Sequence, residues 1–299
     1  MTATPSTRTG ILLMLGSVVV FAINTLLIRG LALAVPAADG WVASLFRGVV
    51  GLAIVALFFG GRGLQLGHLF TRPLLAFRGL LGGFGILAFY LTVVHLGAGR
   101  AVIINLSYPI FGSLFAALWL KETLATRAWL WMFAGFGGLL VFLGGGLELA
   151  IGRYDLLALA GAVAAGGVVT MIRQLRHSEH TATIYASQCA ASALFAAGPA
   201  TAPSLALPAG ALALMVLAAV LVAVAQLAMT HAYRSLPVAR GSSIQMLLPI
   251  VTALGGWLCF DETFTPVELA GASLTLFATW RVLVAPAPAV RMPEKQPAT

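Results

Sequence analysis

Residues Leu96–Leu124 (LGAGRAVIINLSYPIFGSLFAALWLKETL) return without a gap, 140 positions later, as Leu236–Phe264 (LPVARGSSIQMLLPIVTALGGWLCFDETF). Leu96, Arg100, Ile104, Pro109, Ile110, Leu114, Leu118, Glu122 and Thr123 meet Leu236, Arg240, Ile244, Pro249, Ile250, Leu254, Leu258, Glu262 and Thr263 in one frame. Nine identities, with a proline in the middle of an apolar run in both copies, mark an internal duplication. Whatever this chain folds into has two related halves.

The medium follows from the charges. Of 299 residues, 60% are hydrophobic and only 9% charged. A soluble domain carries roughly 25% charged residues, because its surface must face water. This chain cannot cover its exterior with polar side chains, and it reads as an integral membrane protein. The net charge of +8 does not imply nucleic acid, since the basic residues stand singly between apolar segments, as topology signals do. Cys189 and Cys259 fall inside apolar segments and read as small core residues, not a disulfide. MTATPSTRTG runs directly into an apolar stretch long enough to span, with no small-residue cleavage site after a short apolar core, so a retained first helix is expected.

A span needs about 20 mostly apolar residues. Ten segments qualify: 11–33, 41–60, 74–95, 98–120, 127–146, 155–173, 182–199, 209–233, 237–260 and 266–284. The alternation of a membrane β-barrel is missing. The organisation expected is a cytoplasmic N-terminus (1–10), a first repeat (11–146), a linker (147–154), a second repeat (155–284) and a disordered, proline-rich cytoplasmic tail (285–299).

With the N-terminus in the cytoplasm, twelve Lys and Arg residues fall on the cytoplasmic side and only Arg29, Arg100 and Arg153 on the other. Arg47 and Arg78 lie just inside spans. That bias places both termini in the cytoplasm. Five spans per half is an odd number, so the halves must be upside down relative to each other. The expected fold is an all-α membrane protein with ten transmembrane helices in two inverted-topology five-helix repeats. Inverted repeats are the construction of secondary transporters, in which one architecture opens to either side by exchanging the conformations of its halves.

Ten apolar spans, two five-helix halves and the repeated small–Arg…Pro–Ile…Glu–Thr pattern resemble the drug/metabolite transporter superfamily, EamA type. Pro109 with Glu122 and Pro249 with Glu262 carry the resemblance most specifically. The second half departs in places: Arg47 finds Gln188 near its equivalent position, and Gly271 answers Trp131. The resemblance implies an exporter of small metabolites, often amino acids, with a cavity between the halves. Within the family the chain looks most like the aromatic amino acid exporters.

Pro109 and Pro249 lie mid-span, where each removes a helix hydrogen bond. A paired hinge for alternating access is the functional reading, and a static kink that shapes packing is its competitor. Asn24, Tyr90, Asn105, Tyr108, Gln226 and Gln245 sit at hydrocarbon depth, where a polar side chain must find a partner or a cavity. These six are the candidate substrate-binding residues; bonding to neighbouring helices is the alternative. Asn105 and Gln245 hold the same repeat position, four residues before each proline, and form the best-motivated pair for a ligand's amino or carboxylate group. Snorkelling accounts for Arg47 and Arg78, with attraction of a substrate carboxylate as the alternative. Glu122 and Glu262 are expected to start the helix that follows each of them, at its N-terminal dipole. Trp119, Trp129, Trp131, Trp257 and Trp280 read as membrane-belt residues, and Gly79, Gly83, Gly135 and Gly138 as close-packing positions.

No span carries a mid-depth carboxylate, which disfavours proton antiport of a lipophilic cation. No HExxH, GxxxxGK[ST] or nucleophile-elbow motif occurs. The expected function is therefore export of a small metabolite, most of all an amino acid, by alternating access across a bacterial inner membrane. No cofactor, metal or catalytic residue is expected. The expected partners are the small-molecule substrate and membrane lipids, without nucleic acid, and a monomer suffices. The alternatives are a proton-coupled multidrug exporter and a membrane-embedded enzyme acting on a lipid or prenyl group.

Overall fold

The computed structural model describes residues 6–35, 40–61, 63–96, 104–122, 124–143, 152–200, 207–260 and 263–285. Helices α1 (Thr7–Ala34), α2 (Gly40–Phe59), α3 (His68–Thr71), α4 (Pro73–Leu96), α5 (Tyr108–Trp119) and α6 (Thr126–Phe142) form the first repeat. Helices α7 (Arg153–Leu175), α8 (Thr181–Ala197), α9 (Ala209–Ala232), α10 (Val238–Gln245), α11 (Leu248–Phe260) and α12 (Pro266–Val284) form the second. The single turn α3 joins the second and third spans, and α10 with α11 makes up the ninth, which leaves ten spans among the described residues. The expected tail beyond Ala285, most of the expected linker, Arg100 and Glu262 lie outside the described residues.

Helix is the form that satisfies backbone groups within a single segment in lipid, and local chemistry sets the ends. Ser6 starts α1 by accepting the Thr9 N–H on its hydroxyl at 3.2 Å. At α12, Glu268 accepts the Thr265 N–H while the Thr265 hydroxyl accepts the Glu268 N–H, with Pro266 in the first turn. Asp155 accepts the Gly152 N–H at the start of α7. Leu57, Leu118, Leu194 and Leu258 point outward and are exposed, as a lipid-facing shell requires.

Two expected spans are not continuous. The fourth breaks at Leu106–Ser107 and the ninth at Met246–Leu247, in each case two residues before the proline. Proline has no N–H to return to the carbonyl four residues earlier, and its ring crowds that carbonyl. The carbonyls so released are those of Asn105 and Gln245, and the second segment restarts with the proline in its first turn, where a missing N–H costs nothing. The prolines therefore interrupt both spans at the places where the sequence puts a hinge or a kink.

The helix ends gather at two poles. At one, Gly10 near the start of α1 faces Ser235 and Leu236, which follow α9. Arg173, at the end of α7, reaches the Tyr233 and Arg234 carbonyls of the same pole. At the other, His95 near the end of α4 stacks on Tyr154 at the start of α7, with ring centroids 3.8 Å apart. So α1 and α7, the first helices of the two repeats, run in opposite directions, as an inverted repeat demands. Helices α6 and α12 pair with each other: a side-chain carbon at Gly138 would lie 2.8 Å from the Gly271 carbonyl oxygen, so only glycine permits this approach. The Thr275 hydroxyl donates across the same seam to the Gly135 carbonyl at 3.1 Å. Helix α8 is deeply enclosed, with Thr181 to Cys189 buried without interruption. Cys189 is in the core, whereas Cys259, expected there too, is exposed.

Candidate functional site

A cavity of about 290 Å³ lies between the repeats. The first repeat contributes Phe21, Arg47, Phe89, Asn105 and Tyr108 to its wall, and the second Val169, Gln188, Gln226, Met229 and Gln245. The α6–α12 pair contributes nothing. Four of the six candidate residues therefore meet at one place: Asn105, Tyr108, Gln226 and Gln245. Asn24 does not join them; it sits elsewhere on α1, its buried Oδ1 without a partner. Tyr90 belongs to α4, and its side chain lies outside the described residues. No tryptophan lines this cavity.

The symmetry-related amides behave differently. Gln245 is buried and held, its Nε2 donating to Ser17 Oγ at 2.9 Å and to Met14 Sδ at 3.1 Å. Asn105 is half-buried, and among the described residues its side chain has no hydrogen-bond partner. One amide is thus a fixed part of the wall, and the other is free to engage a ligand. Arg47 Nη2 donates to Gln226 Oε1 at 3.2 Å across 179 residues, so Arg47 faces the cavity. Gln188, at the position answering Arg47, stands on the same wall with a buried, unpartnered Oε1.

Arg78 is wholly buried, and none of its three guanidinium nitrogens has a hydrogen-bond partner. The snorkelling expected of it is not what the fold produces: the side chain is sealed between helices and does not reach a membrane surface. Desolvating a charged group without a counter-ion costs several kcal/mol even after relaxation. The sequence signal was available, an arginine at i with glycines at i+1, i+4 and i+5, but nothing in it said which way the side chain would turn.

The pole where α7 ends carries an ionic cluster that joins the repeats. Glu122 Oε1 accepts from Arg173 Nε at 3.2 Å, and Glu122 Oε2 accepts the Val238 N–H at 3.1 Å. Glu122 was expected to start α6, the helix that follows it; it caps α10 of the other repeat instead. The dipole argument was right and the helix was wrong. Nearby, buried Glu179 binds His68 Nδ1 at 2.9 Å, with Arg72 Nε 3.7 Å from its other oxygen. His180 ends this loop as the N-cap of α8, its Nδ1 accepting the Ala182 N–H at 3.2 Å. Burial, and then the Arg176 guanidinium, hold the His180 pKa below its ordinary value. No cluster of three or more potential metal ligands occurs among the described residues.

The EamA-like transporter family model matches residues 8–144 and again 152–284. The chain belongs to the EamA-like transporter family, within the drug/metabolite transporters, and its apolar helices make it a multi-pass membrane protein. Two curated relatives are the pseudopaline exporters CntI of Pseudomonas aeruginosa strains UCBPP-PA14 and PAO1, each 26% identical over 178 residues. That match spans 58% of this chain and 60% of the relatives' length. A crystal structure described only as that of a protein shares the fold, with a TM-score of 0.75 at 15% identity, covering 93% of this chain and 98% of the other.

Proposed function

We propose that the protein exports a small zwitterionic metabolite, an amino acid or a compound of similar charge pattern, across a bacterial inner membrane by alternating access, with both termini cytoplasmic. The observation that carries this reading is the cavity between the repeats, where Asn105 and Gln245, equivalent residues at two proline-broken spans, meet beside Tyr108 and Gln226. Backbone breaks beside a ligand cavity are where transporters of this build place their substrates. The likeness to exporters of pseudopaline supports export of a metabolite. The size of the cavity favours a small solute, since drug-sized ligands occupy roughly 300–1,000 Å³.

Purified protein in liposomes provides the test. Saturable counterflow of labelled amino acids, reduced at least tenfold by Asn105→Ala, is the expected result. Flux of a cationic dye that requires a pH gradient, without amino-acid flux, would replace this reading with proton-coupled multidrug export.

A further inference from the structure

Among the described residues that line the cavity, Arg47 alone carries a formal charge. It is part-buried on α2, and its one bond to Gln226 Oε1 fixes where the guanidinium stands, because Gln226 is itself buried on α9. Arg47 makes no other hydrogen bond and no ion pair among the described residues. A guanidinium holds five donors in a planar fork, so a single acceptor leaves a two-donor edge unused. Those donors are not shut in: the sealed Arg78 has buried nitrogens without partners, and Arg47 has none.

No carboxylate of the protein is at hand to fill that edge. Among the described residues Glu122 binds Arg173, Asp155 accepts the Gly152 N–H, Glu179 binds His68 and Glu268 caps α12, and none of the four lines the cavity. The titratable groups that interact with Arg47 are Tyr185, Cys189 and Arg78, which bring no anion. Phe21, Phe89, Val169 and Met229 make much of the wall apolar, and a cation in such a wall is poorly solvated until an anion enters. A carboxylate suits the guanidinium fork in particular, because it can accept two parallel hydrogen bonds. We infer that Arg47, held in place by Gln226, takes the carboxylate of the transported compound. This rests on the reading of the cavity as the transport site. It narrows the substrate to metabolites with a free carboxylate and leaves Asn105, which has no partner in the wall, for a second polar group of the ligand.

Ligand discrimination by the purified full-length protein tests the assignment, read from the rise in unfolding temperature on titration with L-phenylalanine or L-leucine and with the carboxamide of each. The wild type should bind each acid at least about tenfold more tightly than its amide. Arg47→Gln should remove that preference by weakening the acid and not the amide, whereas a role confined to packing or to holding Gln226 would weaken both alike. Gln226→Glu keeps Arg47 but supplies it with an internal carboxylate, so the preference should fall there too. Equal affinity of the wild type for acid and amide, or no response to either acid, would overturn the inference, as would a preference that survives in Arg47→Gln or in Gln226→Glu. An Arg47-dependent preference in protein that shows no amino-acid counterflow would support the receptor and count against the transport reading alone. Counterflow without preference for acid over amide would do the reverse.

Discussion

The Glu122 carboxylate stands 3.2 Å from Arg173 Nε and, through its second oxygen, 3.1 Å from the Val238 nitrogen. One side chain of the first repeat thus ties the end of α7 to the start of α10, both in the second. Arg173 Nη1 extends the tie to the Tyr233 and Arg234 carbonyls at 2.9 and 2.8 Å. Buried Ile172, Tyr233, Leu236 and Val238 belong to the apolar cluster that fills the bundle at this pole. A transporter that opens towards this pole must part these contacts.

Glu122→Gln leaves Arg173, whose side chain is only 17% exposed, without its anion. Removing one partner of such a pair costs about 3 kcal/mol. The variant should unfold at lower temperature. A cysteine placed at Val168 in protein lacking Cys189 and Cys259 should react faster with a reagent supplied from the Glu122 side; an unchanged rate would show that the cluster does not close this pole.

Asn105→Ala and Gln245→Ala should separate binding from folding. Asn105 has no partner to lose, so its removal should change stability by less than about 0.5 kcal/mol. Substrate affinity should nonetheless fall about tenfold, the equivalent of one hydrogen bond of ~1.4 kcal/mol. Gln245→Ala removes its bond to Ser17 and should cost about 1 kcal/mol of stability as well. Equilibrium binding and thermal unfolding, measured together on both variants, check the contrast.

Pro249→Ala restores an N–H able to pair with the Gln245 carbonyl, and Pro109→Ala does the same for Asn105. If the breaks serve motion, the maximal transport rate should fall in both variants while substrate affinity holds. Equal losses of rate and affinity would instead mark the prolines as static shape.

Gly271→Ala places a carbon 2.6 Å from the Gly138 carbonyl oxygen, where only a backbone shift can relieve it. Overpacking of this kind costs about 1–3 kcal/mol. Because α6 and α12 do not line the cavity, substrate affinity should be unchanged in the folded fraction. Loss of affinity would mean that the pair supports the site from outside.

His180 should make stability depend on pH. Burial and Arg176 depress its folded pKa, so the unfolded chain binds the proton more tightly. Stability is then fully present above the unfolded value of about 6.5 and is lost as pH falls through the depressed folded value. Protonation also removes the lone pair that accepts the Ala182 N–H. Unfolding temperature should drop on acidification below about pH 6.5, and His180→Asn, which keeps an N-cap acceptor, should reduce that slope.

The span pattern, the duplication and the places where spans four and nine break were legible in the chain, because each depends on local chemistry or on counting. Apolar length marks a span, an odd number of spans inverts a repeat, and a proline interrupts the bond to the residue four before it wherever it sits. The pairing of Asn105 with Gln245 by repeat position was legible too, while their place on one cavity wall took the packed bundle to show. Asn24 looked equivalent in composition and depth, yet α1 turns it away from the cavity.

What required the packed bundle was the partner of each polar group. Arg47 meets Gln226 across 179 residues, Glu122 caps a helix 116 residues away, and Arg78 is closed in by the contact of α4 with α8. A helix of given sequence can present any face to its neighbours, and a rotation of one residue, about 100°, moves an arginine from the lipid surface to the interior. Periodicity was weak here because these helices are apolar nearly all round. Their rotation about their own axes is set by glycine contacts such as Gly79 against Ser187 and Gly138 against Gly271, which form only when both helices are present.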